Sequence, residues 1–298
     1  MADVVVVGSA NVDLVLPVQR IPRPGETVLA SGLTRGPGGK GANQAVASAR
    51  AGAATAFVAA LGKDDGGALL REALSGSGVD LSLVSSVDAP TGTAIITVDA
   101  AGENAITVAP SANATLTLSE AARTAVREAK IVLSQLEIPF GTVQAAAEAS
   151  GYFILNAAPA AELSDELLGH VDLLVVNETE AEAVGGPKLA SLLDRVPAAV
   201  VTLGAEGAVI LTRTADEIRV PGVRVEVVDT TAAGDTFCGV LAATLATSSR
   251  TGPVTESDLT NAVRRANVAA SLSVQAAGAI PSVPHGDAID ARCAEVYL

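Results

Sequence analysis

Short aliphatic runs of strand length return along the chain at Val4–Val7, Ala56–Ala60, Ile131–Leu133, Phe153–Leu155, Leu173–Val176 and Ala199–Leu203. They are continuous rather than alternating, which suits strands buried on both faces, the condition of a parallel sheet. Helical patterns lie between them at Gly41–Ala51, Gly67–Ser75, Ser119–Ala129, Thr142–Ala149 and Thr179–Val184. This alternation predicts an α/β fold, a doubly wound and mostly parallel sheet with helices on both faces. With 298 residues the chain can close such a core as one domain spanning residues 1–298.

Two regions interrupt the rhythm. Asp13–Thr34 is extended and carries Pro17, Pro22 and Pro24. Thr93–Asp99 and Asn104–Val108 read as a hairpin around Ala100–Glu103 by their β-branched residues and turn chemistry. Together, over about residues 13–35 and 91–109, they predict a small β-sheet beside the main domain. It is either a lid that keeps water from a reacting group or an added hairpin on the sheet edge.

Composition narrows the function. Apolar residues make up 49% of the chain, which excludes disorder, and with no Trp, 2 Tyr and 4 Phe the core is built from Val, Leu, Ile and Ala. So few rings offer no base-stacking platform, and a net charge of -14 opposes nucleic-acid backbones and anionic membrane surfaces. An anionic nucleotide then needs local help from a helix N-terminus and a divalent metal. Cys238 and Cys293 form no C-x-x-C pair, and His170 and His285 are isolated, so neither a disulfide scaffold nor a Cys- or His-based metal cluster is expected. The apolar run at Val4–Val7 meets Gly8 too early for a signal or membrane segment. The expectation is a soluble cytoplasmic protein.

The chemistry concentrates at Asp229-Thr-Thr-Ala-Ala-Gly-Asp235-Thr-Phe237. A β-branched stretch, Val225–Val228, runs into small residues and then into a helical pattern from Phe237 to about Leu245. Ala232, Ala233 and Gly234 would bring bare N–H groups to a helix N-terminus, an anion site. Asp235 inside it suits removal of a proton from a hydroxyl that attacks a phosphoryl group; the plainer reading is an N-cap. Gly36-Pro-Gly-Gly39-Lys40-Gly-Ala-Asn43-Gln44 opens the first long helix without matching a P-loop. Asn11 and Asp13 follow the first strand on one side of an extended segment. Glu137, Asn156, Asn177-Glu-Thr-Glu180 and Thr202-Leu-Gly204 stand at or just beyond the ends of later strands. Asn177 and Glu180 fit either a hydrated Mg²⁺ or a helix-capping arrangement. Ligand sites of open α/β sheets lie at this strand edge, and the joint pattern favours a site over a set of unrelated turns.

The chain resembles the ribokinase-like (phosphofructokinase-B type) carbohydrate kinases over essentially its whole length. The likeness rests on Asn11-Val-Asp13, Pro24-Gly-Glu-Thr27, Gly38-Gly-Lys-Gly-Ala-Asn-Gln-Ala45, Gln135-Leu-Glu137, Asn156-Ala-Ala-Pro159, Asn177–Glu180, Thr202–Gly204, Asp229–Phe237 and Pro281-Ser-Val-Pro284. It implies an ATP-dependent sugar kinase with ribose as the leading acceptor; deoxyribose, fructose or a nucleoside are alternatives, as is a catalytically silent sugar binder on the same fold. By the same resemblance Asp235 is the base for the sugar's 5-hydroxyl, and Ala232, Ala233 and Gly234 form the anion hole. Asn11, Asp13, Gly39, Lys40, Asn43 and Glu137 would hold the sugar. Asn177, Thr202, Gly204 and Asn267 would face ATP, and Glu180 would support Mg²⁺ through water. K⁺ would be held by Asp229, Ser282 and the carbonyls of Thr231, Ser273, Ala276 and Gly278. The lid would pair two subunits into a homodimer. Two departures from the family pattern are Asn156-Ala-Ala-Pro159 in place of Asn-Pro-Ala-Pro, and Ala276-Ala277 in place of a basic pair.

Overall fold

The unbroken valines of β1 (Val4–Val7) are fully buried, with a strand on each side and helices on both faces. The computed structural model describes residues 2–214, 217–248 and 252–297. In chain order the strands continue with β2 (Asn11–Pro17), β3 (Thr34–Gly38), β4 (Thr55–Val58), β5 (Ala60–Gly62), β6 (Ser85–Val87), β7 (Gly92–Val98) and β8 (Asn104–Ala109). Then come β9 (Ile131–Ser134), β10 (Phe153–Asn156), β11 (Leu173–Asn177), β12 (Ala198–Thr202), β13 (Gly207–Thr212) and β14 (Ile218–Pro221). The α-helices are α1 (Lys40–Arg50), α2 (Asp65–Gly76), α3 (Glu120–Glu128), α4 (Phe140–Ala149), α5 (Asp165–Leu168), α6 (Glu178–Gly185), α7 (Ala233–Thr247), α8 (Glu256–Ser273) and α9 (Gly286–Tyr297).

The main sheet has eight strands in the order β14-β13-β12-β11-β10-β9-β1-β4. Pairing is parallel from β12 to β4 and antiparallel at β12-β13 and β13-β14. Successive strand residues face opposite layers. Val4, Val6, Leu133 and Val175 pack toward α1, α7 and α8, and Val5, Val7, Val132 and Leu174 toward α3, α4 and α6. The parallel strands all end on one edge, where Ser134, Asn156, Asn177 and Thr202 stand.

The expected small sheet is present, with order β3-β2-β7-β8. Asp13 pairs with Gly36 on one side and Ala94 on the other, which carries the sheet out over the strand ends. Its outermost strand, β8, is exposed along its full length.

Two local expectations change. The run Ala56–Ala60 breaks at Ala59, and its second half becomes β5, which pairs with β6 in a separate two-stranded sheet. Val225–Val228 is irregular rather than a strand, with Val227 57% and Val228 65% exposed. It pairs with no strand of the sheet; Val228 and Asp229 instead donate to the Val274 carbonyl. Helices α8 and α9 and the antiparallel β13 and β14 lie outside the strands and helices expected above.

Candidate active site

Ala232, the residue before α7, has φ 58, in the left-handed region that costs a non-glycine residue about 1–2 kcal/mol. That turn ends the loop and starts the helix in one step. Thr236 N–H closes onto the Ala232 carbonyl at 2.8 Å, and Ala233 N–H donates to the Thr230 carbonyl at 3.2 Å. Among the described residues the N–H groups of Gly234 and Asp235 find no acceptor in backbone or side chain. They are the free donors at the positive end of a 15-residue helix.

Asp235 is 8% exposed and held on both oxygens. Asn43 Nδ2 donates to Oδ2 at 2.9 Å and Gln44 Nε2 to Oδ1 at 2.9 Å. Both donors stand on the first turns of α1. The helices meet closely because α7 presents Gly239 there: a Cβ at that position would overlap the Gln44 carbonyl oxygen. Asn43 Oδ1 is buried without a hydrogen-bond donor.

On the small sheet, Asp13 is half-buried and its carboxyl accepts no hydrogen bond among the described residues. Burial, then repulsion from Glu137 and Asp235, push it up to about 7. Its neighbour is Gly38, where any Cβ would collide with the carboxylate, so glycine there is a requirement of space. Gly39, with φ 91, lies against the backbone of Ala10 and Asn11. Glu137 Oε2 accepts from Ser9 Oγ at 2.6 Å and from the Lys40 N–H at 3.3 Å, fixing the start of α1. Asn11 is buried, and its Oδ1 accepts from Asn113 Nδ2 at 2.8 Å.

On the other side of Asp235 lies a cavity of about 250 Å³ lined by Lys40, Asn156, Asn177, Glu180, Thr202, Thr230, Ala232, Ala233, Gly234, Asp235 and Cys238. Lys40, expected among the sugar contacts, shares this cavity with the residues expected to face the nucleotide. The negative charge of Asp235, opposed by burial and aided by Glu137 and Glu180, raises the Lys40 ammonium above its usual range. Burial raises the Glu180 carboxyl, against the pull of the Asn177 N–H and Lys40. Glu180 Oε2 accepts the Asn177 N–H at 2.9 Å and Asn177 Oδ1 accepts the Glu180 N–H at 2.8 Å, a complete capping box at the start of α6. Glu180 Oε1 remains available to water.

Gly204, with φ 55, and Asn267 do not line this cavity. The Asn267 amide reaches the carbonyls of Val220 and Pro221, each at 3.3 Å, and so ties α8 to the end of β14.

Asp229 joins two loops. Its Oδ1 accepts the Thr231 N–H at 2.9 Å and its Oδ2 the Gly278 N–H at 2.8 Å. Burial raises this carboxyl, but the Thr231 hydroxyl and these N–H groups outweigh it and hold the group below the ordinary range. The carbonyls of Thr231, Ala276 and Gly278 accept no backbone bond among the described residues, whereas that of Ser273 accepts from Ala276 N–H at 3.2 Å. Ser282 Oγ donates to the Ala279 carbonyl at 2.9 Å. Loops rich in uncommitted carbonyls beside one carboxylate fit a hard monovalent cation, which takes oxygen ligands.

Four residues with no role assigned from the sequence prove structural to the site: Ser9, Gln44, Gln135 and Asn113. Gln44 and Gln135 stand inside the matched segments, one and two positions from Asn43 and Glu137, which was the available signal. Nothing in the local pattern of Ser111-Ala-Asn113 pointed to its partner Asn11.

Comparisons with known proteins identify the family. The sequence pattern of the pfkB family carbohydrate kinases matches residues 1–286. The ribokinase of Staphylococcus aureus is 37% identical over 300 residues, covering 94% of this chain and 96% of that one. A bifunctional ribokinase/ribose-5-phosphate isomerase A of Fructilactobacillus sanfranciscensis is 38% identical over 97% of this chain, which spans 56% of that relative's length. The structure of Arabidopsis thaliana ribokinase complexed with ribose and ATP matches with a TM-score of 0.86 at 34% identity, covering 98% of each chain. This chain belongs to the pfkB family of carbohydrate kinases, ATP-dependent enzymes that phosphorylate sugars. Among the described residues no helix is long and apolar enough to cross a membrane.

Proposed function

We propose that this kinase transfers the γ-phosphoryl group of ATP to the 5-hydroxyl of D-ribose, giving ribose 5-phosphate and ADP. The observation that carries this reading is a pair of acceptors without donors beside Asp235: the Asp13 carboxyl and Asn43 Oδ1. The buried, unpaired Asn43 Oδ1 costs about 1–3 kcal/mol, and vicinal hydroxyls would satisfy both it and the half-buried Asp13 carboxyl. The relatives at 37–38% identity are named ribokinases, which supports ribose over other acceptors.

In this reading Asn11, Asp13, Asn43 and Glu137 orient the sugar so that its 5-hydroxyl meets Asp235, which takes the proton as the phosphoryl group arrives. The N–H groups of Gly234 and Asp235, with Lys40 on the opposite wall, face the charge on the transferring group. Phosphoryl transfer depends mainly on such positioning and charge stabilisation. Asn177 and Thr202 face the nucleotide. Mg²⁺ would travel with ATP and be steadied by water on Glu180, and K⁺ would sit between the loops joined by Asp229. The small sheet closes over the sugar. Its exposed apolar residues, among them Ile95, Ile106 and Val108, support pairing of two copies into a homodimer through the lid.

A panel of ribose, deoxyribose, fructose and nucleosides with Mg²⁺-ATP tests the acceptor. Ribose is expected to give the highest kcat/KM, and a higher value for a nucleoside would replace it. Asp235→Asn tests the base: kcat is expected to fall by about two to four powers of ten while ribose and ATP still bind. Turnover near wild type would remove Asp235 from the chemistry.

A further inference from the structure

Gln44 is fully buried on α1, and it lies at the centre of a chain of side-chain amides that ends on Asp235. The direction of the chain follows from one backbone group. The Val175 carbonyl can only accept, so Asn156 turns its Nδ2 to it at 3.2 Å and leaves Oδ1 facing Gln44. Gln44 must then point Nε2 at Asn156 Oδ1, 3.0 Å away, and at Asp235 Oδ1, 2.9 Å away. Its Oε1 accepts from Gln135 Nε2 at 2.6 Å. Both Gln44 amide hydrogens and its carbonyl oxygen are therefore committed inside the protein.

The two donors on Asp235 differ in this respect. Asn43 holds Oδ2 but keeps an unpaired Oδ1, so its amide can rearrange when hydroxyls arrive. Gln44 cannot rearrange without breaking the chain to Asn156 and Gln135. Taking Asp235 as the base, as proposed above, we infer that Gln44 is its positioning residue: it anchors Oδ1 so that Oδ2 alone meets the incoming hydroxyl. The close crossing of α1 and α7 at Gly239 keeps the Gln44 backbone in register with the carboxylate it holds. A carboxylate freed to turn carries its accepting oxygen away by about 1 Å, a displacement that can cost on the order of a hundredfold in rate.

The test is a kinetic double-mutant cycle on the full chain. Gln44→Met keeps the length of the side chain and removes its donors. It is expected to lower kcat by about 10- to 100-fold, with KM for ribose and for ATP changed by less than about twofold. Gln44→Glu retains the acceptor for Gln135 but sets oxygen against Asp235 Oδ1 and Asn156 Oδ1, and is expected to be at least as slow. Gln44→Met added to Asp235→Asn is expected to cost nothing further, because the group it positions is gone. Equal fold-losses in both backgrounds, or a rise in KM with kcat unchanged, would overturn the inference. If Gln44→Met does not fold, Gln135→Met decides: it frees Gln44 Oε1 without touching Asp235, and its kcat loss is likewise expected only when Asp235 is present. An Asp235→Asn enzyme as fast as wild type would overturn the base assignment first, and this inference with it.

Discussion

Asn113, in the turn after the last strand of the small sheet, donates to Asn11 Oδ1 at 2.8 Å, at the first residue of the strand that enters that sheet. The same side chain accepts the Ala10 N–H at 3.0 Å and donates to the Ala10 carbonyl at 3.2 Å. One buried amide thus ties the two ends of the small sheet together and commits the oxygen of Asn11, which in the proposed reading leaves its Nδ2 for the sugar. Gly92 completes the arrangement, since a Cβ there would overlap both amides.

Asn113→Leu is expected to leave Ala10 and Asn11 with unpaired buried groups and to destabilise the chain by about 1–3 kcal/mol. Because Asn11 loses its fixed amide orientation, KM for ribose is expected to rise more than KM for ATP. Urea denaturation and steady-state kinetics on both substrates check this; equal rises in both KM values would assign Asn113 a purely structural role.

Asp13 makes the stability of the sugar-free enzyme depend on pH. Its carboxyl is raised to about 7 by burial and by Glu137 and Asp235, while an unfolded Asp titrates near ~3.9. Between these values the native chain keeps a proton that the unfolded chain has released, so stability falls as pH rises through the window and levels off above about 7. Asp13→Asn removes this contribution. The variant is expected to gain on wild type by roughly 2–4 kcal/mol between pH 4 and pH 8, while losing affinity for ribose. Urea denaturation of both proteins at the two pH values measures the gain; a constant difference would mean that Asp13 titrates normally.

Monovalent cations are expected to act through Asp229. Replacing Na⁺ by K⁺ at fixed ionic strength is expected to raise the rate, since an ion among the carbonyls of Thr231, Ala276 and Gly278 would steady the loop leading into Gly234. The Asp229 carboxylate already holds Thr231 and Gly278 by their N–H groups, so the ion-free enzyme is expected to keep part of its activity. Asp229→Ala loses both the clamp and the ion, and is expected to fall below the ion-free wild type and to ignore K⁺. A titration in which wild type is indifferent to K⁺ would leave the loop held by protein contacts alone.

The strands were legible where apolar runs were continuous, as at Val4–Val7 and Leu173–Val176, because a strand buried on both faces needs no polar residue. The candidate site was legible at Asp235 and along Gly38–Asn43, where small residues bring backbone close to a ligand. Legibility failed where a residue's partner lies far along the chain. Val225–Val228 has strand-forming residues, but Val228 is held by the Val274 carbonyl rather than by a neighbouring strand. Asn267 reads as a nucleotide contact only by likeness; its amide ties α8 to β14. Asn177 and Glu180 carried two readings, and the capping box is present while both residues also line the cavity.

The amino-acid sequence by itself determined the parallel strands, the helices between them and the edge of the sheet that carries polar residues, because periodicity, glycine and β-branching act on the local backbone. Only the tertiary structure decided which groups meet. Asn43 and Asp235 are 192 positions apart, and Gln44 and Asn156 are 112 apart. The first contact exists because α1 and α7 meet closely at Gly239, and the second because α1 packs against the end of β10. A hydrogen bond between side chains depends on distances of a few tenths of an ångström, and those are set by helix packing on the sheet rather than by either segment alone.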